Sequence, residues 1–253
     1  SSINSTLSSH NSRISSNENR LDNIENDSLT KILGRQVEWV EYTLFNVLLS
    51  FASPSSNPTG LAWGGSNLWH ADSITKKIYR LSTSGTILSS FDSPGTVPRG
   101  LTWDGSNLWH ADPDAYKIYK LNTSGTILTS FASPSSSSAG LTWDGSNLWH
   151  TDSNARRIYK LNTSGTILTS FASPGTFPTG LAWDGSNLWN ADDITDKIYK
   201  LNTSGTILSS FDSPSISPQG LTYDGGYLWH ADSNTDRIYK IAAYSGLMLR
   251  AKN

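Results

Sequence analysis

The feature that most constrains this chain is a repeat with a period of 40 residues. Phe51–Ser90, Phe91–Ser130, Phe131–Ser170, Phe171–Ser210 and Phe211–Arg250 align without insertions. The string Leu-Asn-Thr-Ser-Gly-Thr-Ile-Leu recurs unchanged at 121–128, 161–168 and 201–208. Gly-Ser-Asn-Leu-Trp recurs at 65–69, 105–109, 145–149 and 185–189. The five units cover 200 of the 253 residues. A fixed period of this length belongs to a solenoid, a propeller or an array, because each unit buries its apolar faces only against its neighbours.

Each unit reads as four short strands. In the second copy, Gly100–Trp103 is strand a and Asp104–Asn107 a turn headed by Asp-Gly. Leu108–Ala111 is strand b and Lys117–Leu121 strand c. Asn122–Gly125 forms the next turn and Thr126–Phe131 is strand d. β-Branched and aromatic residues punctuated every few positions favour strands, and no 3.6-periodic run long enough for a helical repeat occurs in these copies. Four antiparallel strands per copy describe one propeller blade. The expected fold is all-β, a five-bladed β-propeller over 51–253.

Nine of the ten tryptophans carry most of the expected core. Trp63, Trp103, Trp143 and Trp183 lie on strand a, with Tyr223 in the last copy; Trp69, Trp109, Trp149, Trp189 and Trp229 lie on strand b. Packing between blades accounts for them, and stacking on a sugar or base at an open face is the other reading.

The pattern Pro-x-Gly-Leu-x-Trp-Asp-Gly, Leu-Trp-x-Ala-Asp, Ile-Tyr-Lys-Leu, Ser-Gly-x-Ile-Leu and Phe resembles the NHL-type propeller repeat. It is also similar to the repeat of streptogramin lyase. The resemblance spans 51–250 and implies a radial fold with strand a nearest the axis and strand d outermost. Those families usually close with six or seven blades, and this chain supplies five. The lyase resemblance also implies a His working with a divalent ion on the open face. Here His70, His110, His150 and His230 occupy one repeated position, with Asn190 in the fourth copy, so that role attaches to no single residue. The repeated histidines read as structural, each donating to a neighbouring blade. Asp72, Asp112, Asp152, Asp192 and Asp232 end strand b in every copy and read as caps of the following loop rather than metal ligands.

Five a-b-c units face six candidate d strands. Residues 46–51 and 247–251 both align with strand d. One is expected to complete the blade built from 219–242, leaving the other as an edge open to a partner strand.

The first fifty residues differ in composition. Ile3, Leu7, His10, Ile14, Asn17, Leu21 and Ile24 alternate at spacings of four and three, a heptad seam with polar residues at two d positions. This segment resembles the coiled-coil stalk of trimeric viral fibres and bacterial surface adhesins; a Ser/Asn-rich disordered tail is the competing reading. We therefore expect 1–35 to be a helical oligomerisation segment and 36–50 a collar and closing strand, with Trp39, Tyr42 and Phe45 in the collar.

The copies differ mainly in the d–a link and the b–c loop, which lie at one end of the strands and form the candidate recognition rim. The first copy contributes Asn57, Thr59 and Lys76, and the second Arg99, Asp114 and Tyr116. Asn154 and Arg156 come from the third, Phe177 and Asp196 from the fourth, and Gln219 and Asp236 from the fifth. Asn122, Asn162 and Asn202 stand in Asn-Thr-Ser on the opposite rim, with Asn4 and Asn26 in further sequons; glycosylation and turn formation both explain the repeated three.

Composition narrows the function classes. A net charge of -2 lacks the footprint of a nucleic-acid binder. The absence of Cys removes disulfides, thiolate zinc sites and a Cys nucleophile. No apolar run reaches the length of a membrane span. The chain begins at Ser1, which leads us to expect that a leading segment was removed. No catalytic residue, cofactor or metal is assigned. The expected function is an extracellular or virion-surface recognition protein, self-assembled through its N-terminal segment and presenting the propeller to a glycan or cell-surface ligand. A streptogramin-lyase-like enzyme and a filament subunit joined by a donated strand are the alternatives.

Overall fold

The computed structural model describes residues 37–251, with side chains described for 45–242. The heptad seam and the sequons at Asn4 and Asn26 lie outside the described residues. Thr43–Tyr244 forms one compact unit. The described parts of the second unit, 37–42 and 245–251, are strand throughout.

The compact unit is a five-bladed propeller of four-stranded antiparallel sheets. The chain enters on β1 (Val37–Ala52). Blade 1 is β2 (Pro58–Trp63), β3 (Leu68–Asp72), β4 (Lys77–Leu81) and β5 (Ile87–Asp92). Blade 2 is β6 (Leu101–Trp103), β7 (Leu108–Asp112), β8 (Lys117–Leu121) and β9 (Ile127–Ala132). Blade 3 is β10 (Ser138–Trp143), β11 (Leu148–Asp152), β12 (Arg157–Leu161) and β13 (Ile167–Ala172). Blade 4 is β14 (Pro178–Trp183), β15 (Leu188–Asp192), β16 (Lys197–Leu201) and β17 (Ile207–Asp212). Blade 5 is β18 (Pro218–Tyr223), β19 (Leu228–Asp232) and β20 (Arg237–Ala251), completed by β1 in the order β1-β20-β19-β18.

The two candidate closing strands are thereby separated. Residues 46–51 lie in β1 and form strand d of the last blade, whereas 247–251 continue strand c. Among the described residues no spare d strand is left over from the propeller. Arg237 ties the closure, donating from Nε and Nη2 to Ser50 Oγ at 3.1 and 2.8 Å. Arg157 makes the same bonds to Ser170 inside blade 3, so the closing strand reproduces the bonds of a continuous blade.

Burial peaks at strand b and falls outward from it. Strand b is buried at every position in all five blades, since both of its faces are covered by neighbouring blades. Strand d faces solvent, and Ile127 and Leu128 are half exposed. Each strand-b tryptophan sits between the Phe of its own strand d and the next blade. Trp69 stacks with Trp103 of blade 2 at 6.4 Å and tilts against Phe91 at 6.1 Å. Trp229 of blade 5 meets Trp63 of blade 1 at 6.5 Å and Phe51 at 6.3 Å, which closes the circle. Of the collar aromatics, Phe45 stacks on Phe211 of blade 4 at 4.9 Å.

At the turns, the tryptophan indoles acquire polar partners. Trp109 Nε1 donates to Asp104 Oδ2 at 3.0 Å, and Lys120 pairs with the same oxygen at 2.9 Å while lying 5.1 Å from the indole centroid. The set recurs in blades 3, 4 and 5. Blade 1 replaces its acid by Gly64 and its lysine by Arg80, which lies over Trp69 at 5.8 Å.

Nearest the axis, strands a approach one another so closely that only glycine fits. A Cβ on Gly60, Gly100, Gly140 or Gly180 would be driven into the carbonyl oxygen of Arg99, Ala139, Thr179 or Gln219, each on the next blade. Gly220 meets Thr59 O in the same way, which completes the ring. Gly140→Ala is expected to cost about 2–3 kcal/mol and lower Tm by roughly 5–10 °C, because backbone rather than a flexible side chain must yield. Gly226→Ala, whose Cβ would meet only Asp224 Oδ1 at 3.9 Å, serves as control. Equal melts for the two variants would refute the close approach.

Candidate functional site

The repeated polar residues of strand b explain themselves locally. Asp72 Oδ1 accepts the backbone N–H groups of Ile74 and Thr75 at 3.1 and 2.8 Å and the Thr75 hydroxyl at 2.9 Å. Its Oδ2 accepts the Asn57 N–H at 3.4 Å. One carboxylate thus caps the b–c loop and clamps the d–a link beside it. Asp112 does the same with Ala115 and Val97, Asp152 with Ala155 and Ser137, and Asp192 with Thr195 and Phe177.

The histidines are equally occupied, though not in the expected way. His70 Nδ1 lies 3.2 Å from Gly60 O in its own blade, and Nε2 lies 3.0 Å from Ser53 Oγ in the link. His110 and His150 pair with Gly100 and Ser93 and with Gly140 and Ser133. The bonds run within the blade and to its leading link, rather than from imidazole to neighbouring blade. All four rings are fully buried. Burial pulls their pKa down from 6.5 to about 4. Asn190 stands in for His in blade 4 by donating Nδ2 to Gly180 O at 2.9 Å, and Ser173, without an imidazole to meet, turns to Gly175 O. A divalent ion of the kind the lyase resemblance implies does not fit these residues. In blades 1 to 3 both ring nitrogens are engaged, and no cluster of three metal-ligating side chains forms among the described residues.

Blade 5 departs from this scheme. Ser217 adopts φ 78°, and its N–H turns to Asp196 Oδ1 at 3.4 Å instead of to the strand-b carboxylate. Asp232 Oδ2 is therefore buried without a partner, and burial raises its pKa. His230 keeps Ser213 at 3.1 Å while its Nδ1 has no partner.

The variable rim is built on a repeated piece of strained backbone. Lys76, Tyr116, Arg156, Asp196 and Asp236 close the five b–c loops with φ between 52° and 55°. This left-handed conformation costs a non-glycine residue about 1–2 kcal/mol. Each is held by its carbonyl, which accepts the N–H of the serine after strand d: Ser93 to Lys76 at 2.8 Å, Ser133 to Tyr116 at 2.9 Å, and so around to Ser53 and Asp236 at 2.8 Å. Lys76, Tyr116 and Arg156 are exposed, whereas Asp196 and Asp236 are half-buried. Asp114 accepts the Thr96 hydroxyl at 2.9 Å, and Asn154 Nδ2 donates to Ser136 at 3.3 Å, so these two also brace the link. Asn57 and Phe177 meet the strand-b carboxylates through their backbone.

Thr59, Arg99 and Gln219 stand apart from the loop tips. Together with Ala139 and Thr179 they line a narrow axial opening whose enclosed space is about 10 Å³, room for a single water. Sequence reasoning overlooked Asp193, which accepts Gln219 Nε2 at 3.4 Å, and the exposed Ile74, Ile194 and Ile216 on the same rim. Asp193 breaks a run of Ser and Pro at its loop position, and an isoleucine at a loop tip is itself a signal. On the opposite rim, Asn122 Oδ1 accepts the N–H and hydroxyl of Ser124 and the N–H of Thr126, as Asn162 and Asn202 do in their copies, so these side chains build the turn. No helix among the described residues is long and apolar enough to cross a membrane.

Five sheets, a glycine-lined axis and a variable rim define a β-propeller whose open face is the candidate site. The chain matches the Virginiamycin B lyase family over residues 49–248 and belongs to it. The fold is similar to Myxococcus xanthus glutaminyl cyclase, with a TM-score of 0.71 at 10% identity over 81% of this chain and 98% of that one. A catalytically inactive virginiamycin B lyase from Staphylococcus aureus, solved with quinupristin, matches with a TM-score of 0.51 at 26% identity over 76% of this chain and 68% of that one. A chain of a nidogen/laminin complex matches with a TM-score of 0.56 at 20% identity, covering 79% and 88%. No curated protein sequence matches the chain.

The buried histidines make a pH prediction. Their folded pKa of about 4 lies below the ordinary 6.5, so the unfolded chain binds more protons between those values. The neutral rings contribute full stability above pH 6.5 and lose it as pH falls towards 4, by up to about 3 kcal/mol each. Thermal melts should hold steady above pH 7 and drop across that window. Replacing all four by Asn, as at position 190, should flatten the drop. A native Tm that does not move between pH 7 and 4 would contradict the burial argument.

Proposed function

We propose that this chain is a recognition protein that binds through its variable rim and is assembled into oligomers by its N-terminal heptad segment. What supports the rim is a single observation. Five loops share one strained backbone conformation, yet they end in Lys76, Tyr116, Arg156, Asp196 and Asp236. Glycine would relieve the strain at each site, and none is glycine. Fixed platforms bearing different side chains suit a surface that discriminates among ligands. Exposed Ile74, Tyr116, Ile194 and Ile216 add apolar contact beside the charges. A glycan or a cell-surface protein is the partner class we favour, which places the protein outside the cell or on a virion. We assign the assembly to Ile3, Leu7, His10, Ile14, Asn17, Leu21 and Ile24, a seam whose polar members would set register.

Family membership favours a second reading, a lyase like its relatives. Against it stands the state of the histidines, which are buried and largely bonded to protein. Light scattering separates the two. The full chain should be oligomeric, and a chain starting at residue 36, which keeps the closing strand, should be monomeric. A monomer in both cases would remove the assembly reading. On a glycan array, Tyr116→Ala with Arg156→Ala should weaken binding at least about tenfold while leaving Tm unchanged, since exposed rim contacts contribute little to stability.

A further inference from the structure

Four blades carry an acid at the head of the a–b turn, and blade 1 carries Gly64. The four acids show what this turn is built to hold. Asp104 Oδ1 accepts the N–H groups of Ser106 and Asn107 at 3.0 and 2.7 Å, and Oδ2 accepts Trp109 Nε1 at 3.0 Å and Lys120 Nζ at 2.9 Å. Asp144, Asp184 and Asp224 repeat all four contacts. Burial raises the pKa of Asp104, but Lys120, the two N–H groups and the indole outweigh it and hold the carboxyl below its ordinary value. The direction is the same at the other three acids. The donor set therefore favours an ionised carboxylate.

Blade 1 keeps the donors without the acid. Its turn has the same backbone. Gly64 N–H donates to Asn67 O at 2.8 Å as Asp104 N–H does to Asn107 O at 3.0 Å, and Gly65 has φ 86° against 96° at Gly105. Trp69 stands opposite Arg80 as Trp109 stands opposite Lys120. The N–H groups of Ser66 and Asn67 and the Trp69 Nε1–H have no acceptor among the described residues, and Nε1 is not one of the buried atoms left without a partner, so solvent reaches it. Arg80 lies over the indole, is exposed, and pairs with no acid among the described residues. The indole stands close to Gly64, with Nε1 2.9 Å from where a Cβ would be; a ligand entering from solvent need carry no atom through that point. Donors already set in a fixed turn bind an anion without the cost of ordering them.

We propose that the a–b turn of blade 1 is a carboxylate-binding site, in which Ser66 N–H, Asn67 N–H, Trp69 Nε1 and Arg80 hold a carboxylate supplied from outside the fold as the other blades hold their own Asp. The ligand class is a carboxylate on a short aliphatic stem, either free or as an acidic side chain of a partner protein. Arginine in place of lysine suits an incoming group, because its planar fork meets both carboxylate oxygens. The turn lies at the end of the strands opposite the variable loops, so this site stands independently of the recognition rim.

The test titrates the full chain with acetate, chloride and inorganic phosphate at constant ionic strength, following the indole Nε1–Hε1 signals by NMR. Acetate should shift the Trp69 signal saturably, with a Kd on the order of 1–10 mM. The Trp109 signal, whose donors Asp104 fills, should stay in place. Gly64→Asp should abolish the Trp69 shift. Arg80→Gln should weaken acetate at least about threefold, the contribution of an exposed charge pair. Arg80 is exposed, so this variant decides the outcome even if Gly64→Asp does not fold. The peptide acetyl-Gly-Asp-Gly-amide separates the sources: binding tighter than acetate assigns the site to a partner protein, and weaker binding assigns it to a free carboxylate. No saturable shift at Trp69, chloride or phosphate binding as tight as acetate, or an affinity unchanged by either substitution would overturn the proposal.

Discussion

Five glycines at the axis set the terms for everything outside them. With no Cβ at 60, 100, 140, 180 and 220, the backbone of each strand a lies against a carbonyl of the next. That contact fixes how near the axis the sheets begin, and the indoles further out fill the wedge that opens between diverging blades. It also decides which side chains reach the centre. The residue before each glycine lines the opening, and several reach across a blade boundary as well: Thr59 to Pro98 O, Thr179 to Pro218 O and Gln219 to Asp193. Close backbone packing and the lining of the opening thereby fall to adjacent positions of the same strand.

The same economy governs strand b. Its Asp secures two loops with one carboxylate, and its His secures one strand and one link with one imidazole. Once these groups have tied the rim down, the loop tips are free to vary. This is why the left-handed residue tolerates Lys, Tyr, Arg or Asp. Its conformation is imposed by the serine N–H on its carbonyl and not by its own side chain. Blade 5 shows the cost of altering the scaffold itself. There Ser217 redirects one N–H and leaves a carboxylate oxygen buried without a hydrogen-bond partner.

Much of this fold was legible because the copies are nearly identical, so period, strand count and turns could be read from any of them. The closing strand was not legible. Residues 46–51 and 247–251 carry similar apolar strings, and what separates them is the long-range pairing of Arg237 with Ser50, which no local pattern encodes. The loop-capping role of the Asp residues could be read from their place before a polar loop, but the partners of the histidines could not, since Gly60 O and Ser53 lie 10 and 17 positions away. Variation among copies did point to Arg99 and Gln219. It could not distinguish them from Thr59 and Thr179, whose hydroxyls are bonded across blade boundaries.

That distinction bears on whether family membership brings catalysis with it. Acid–base chemistry needs a group that titrates near the working pH and reaches the substrate. The strand-b histidines are covered on both faces, and burial lowers their pKa to about 4, so at neutral pH they stay uncharged and away from solvent. The rim itself carries Lys76, Asp114, Tyr116, Arg156, Asp196 and Asp236 beside the exposed isoleucines. A propeller of this family that holds its repeated histidines as struts keeps them from the open face, so chemistry there would have to come from the rim side chains and not from strand b.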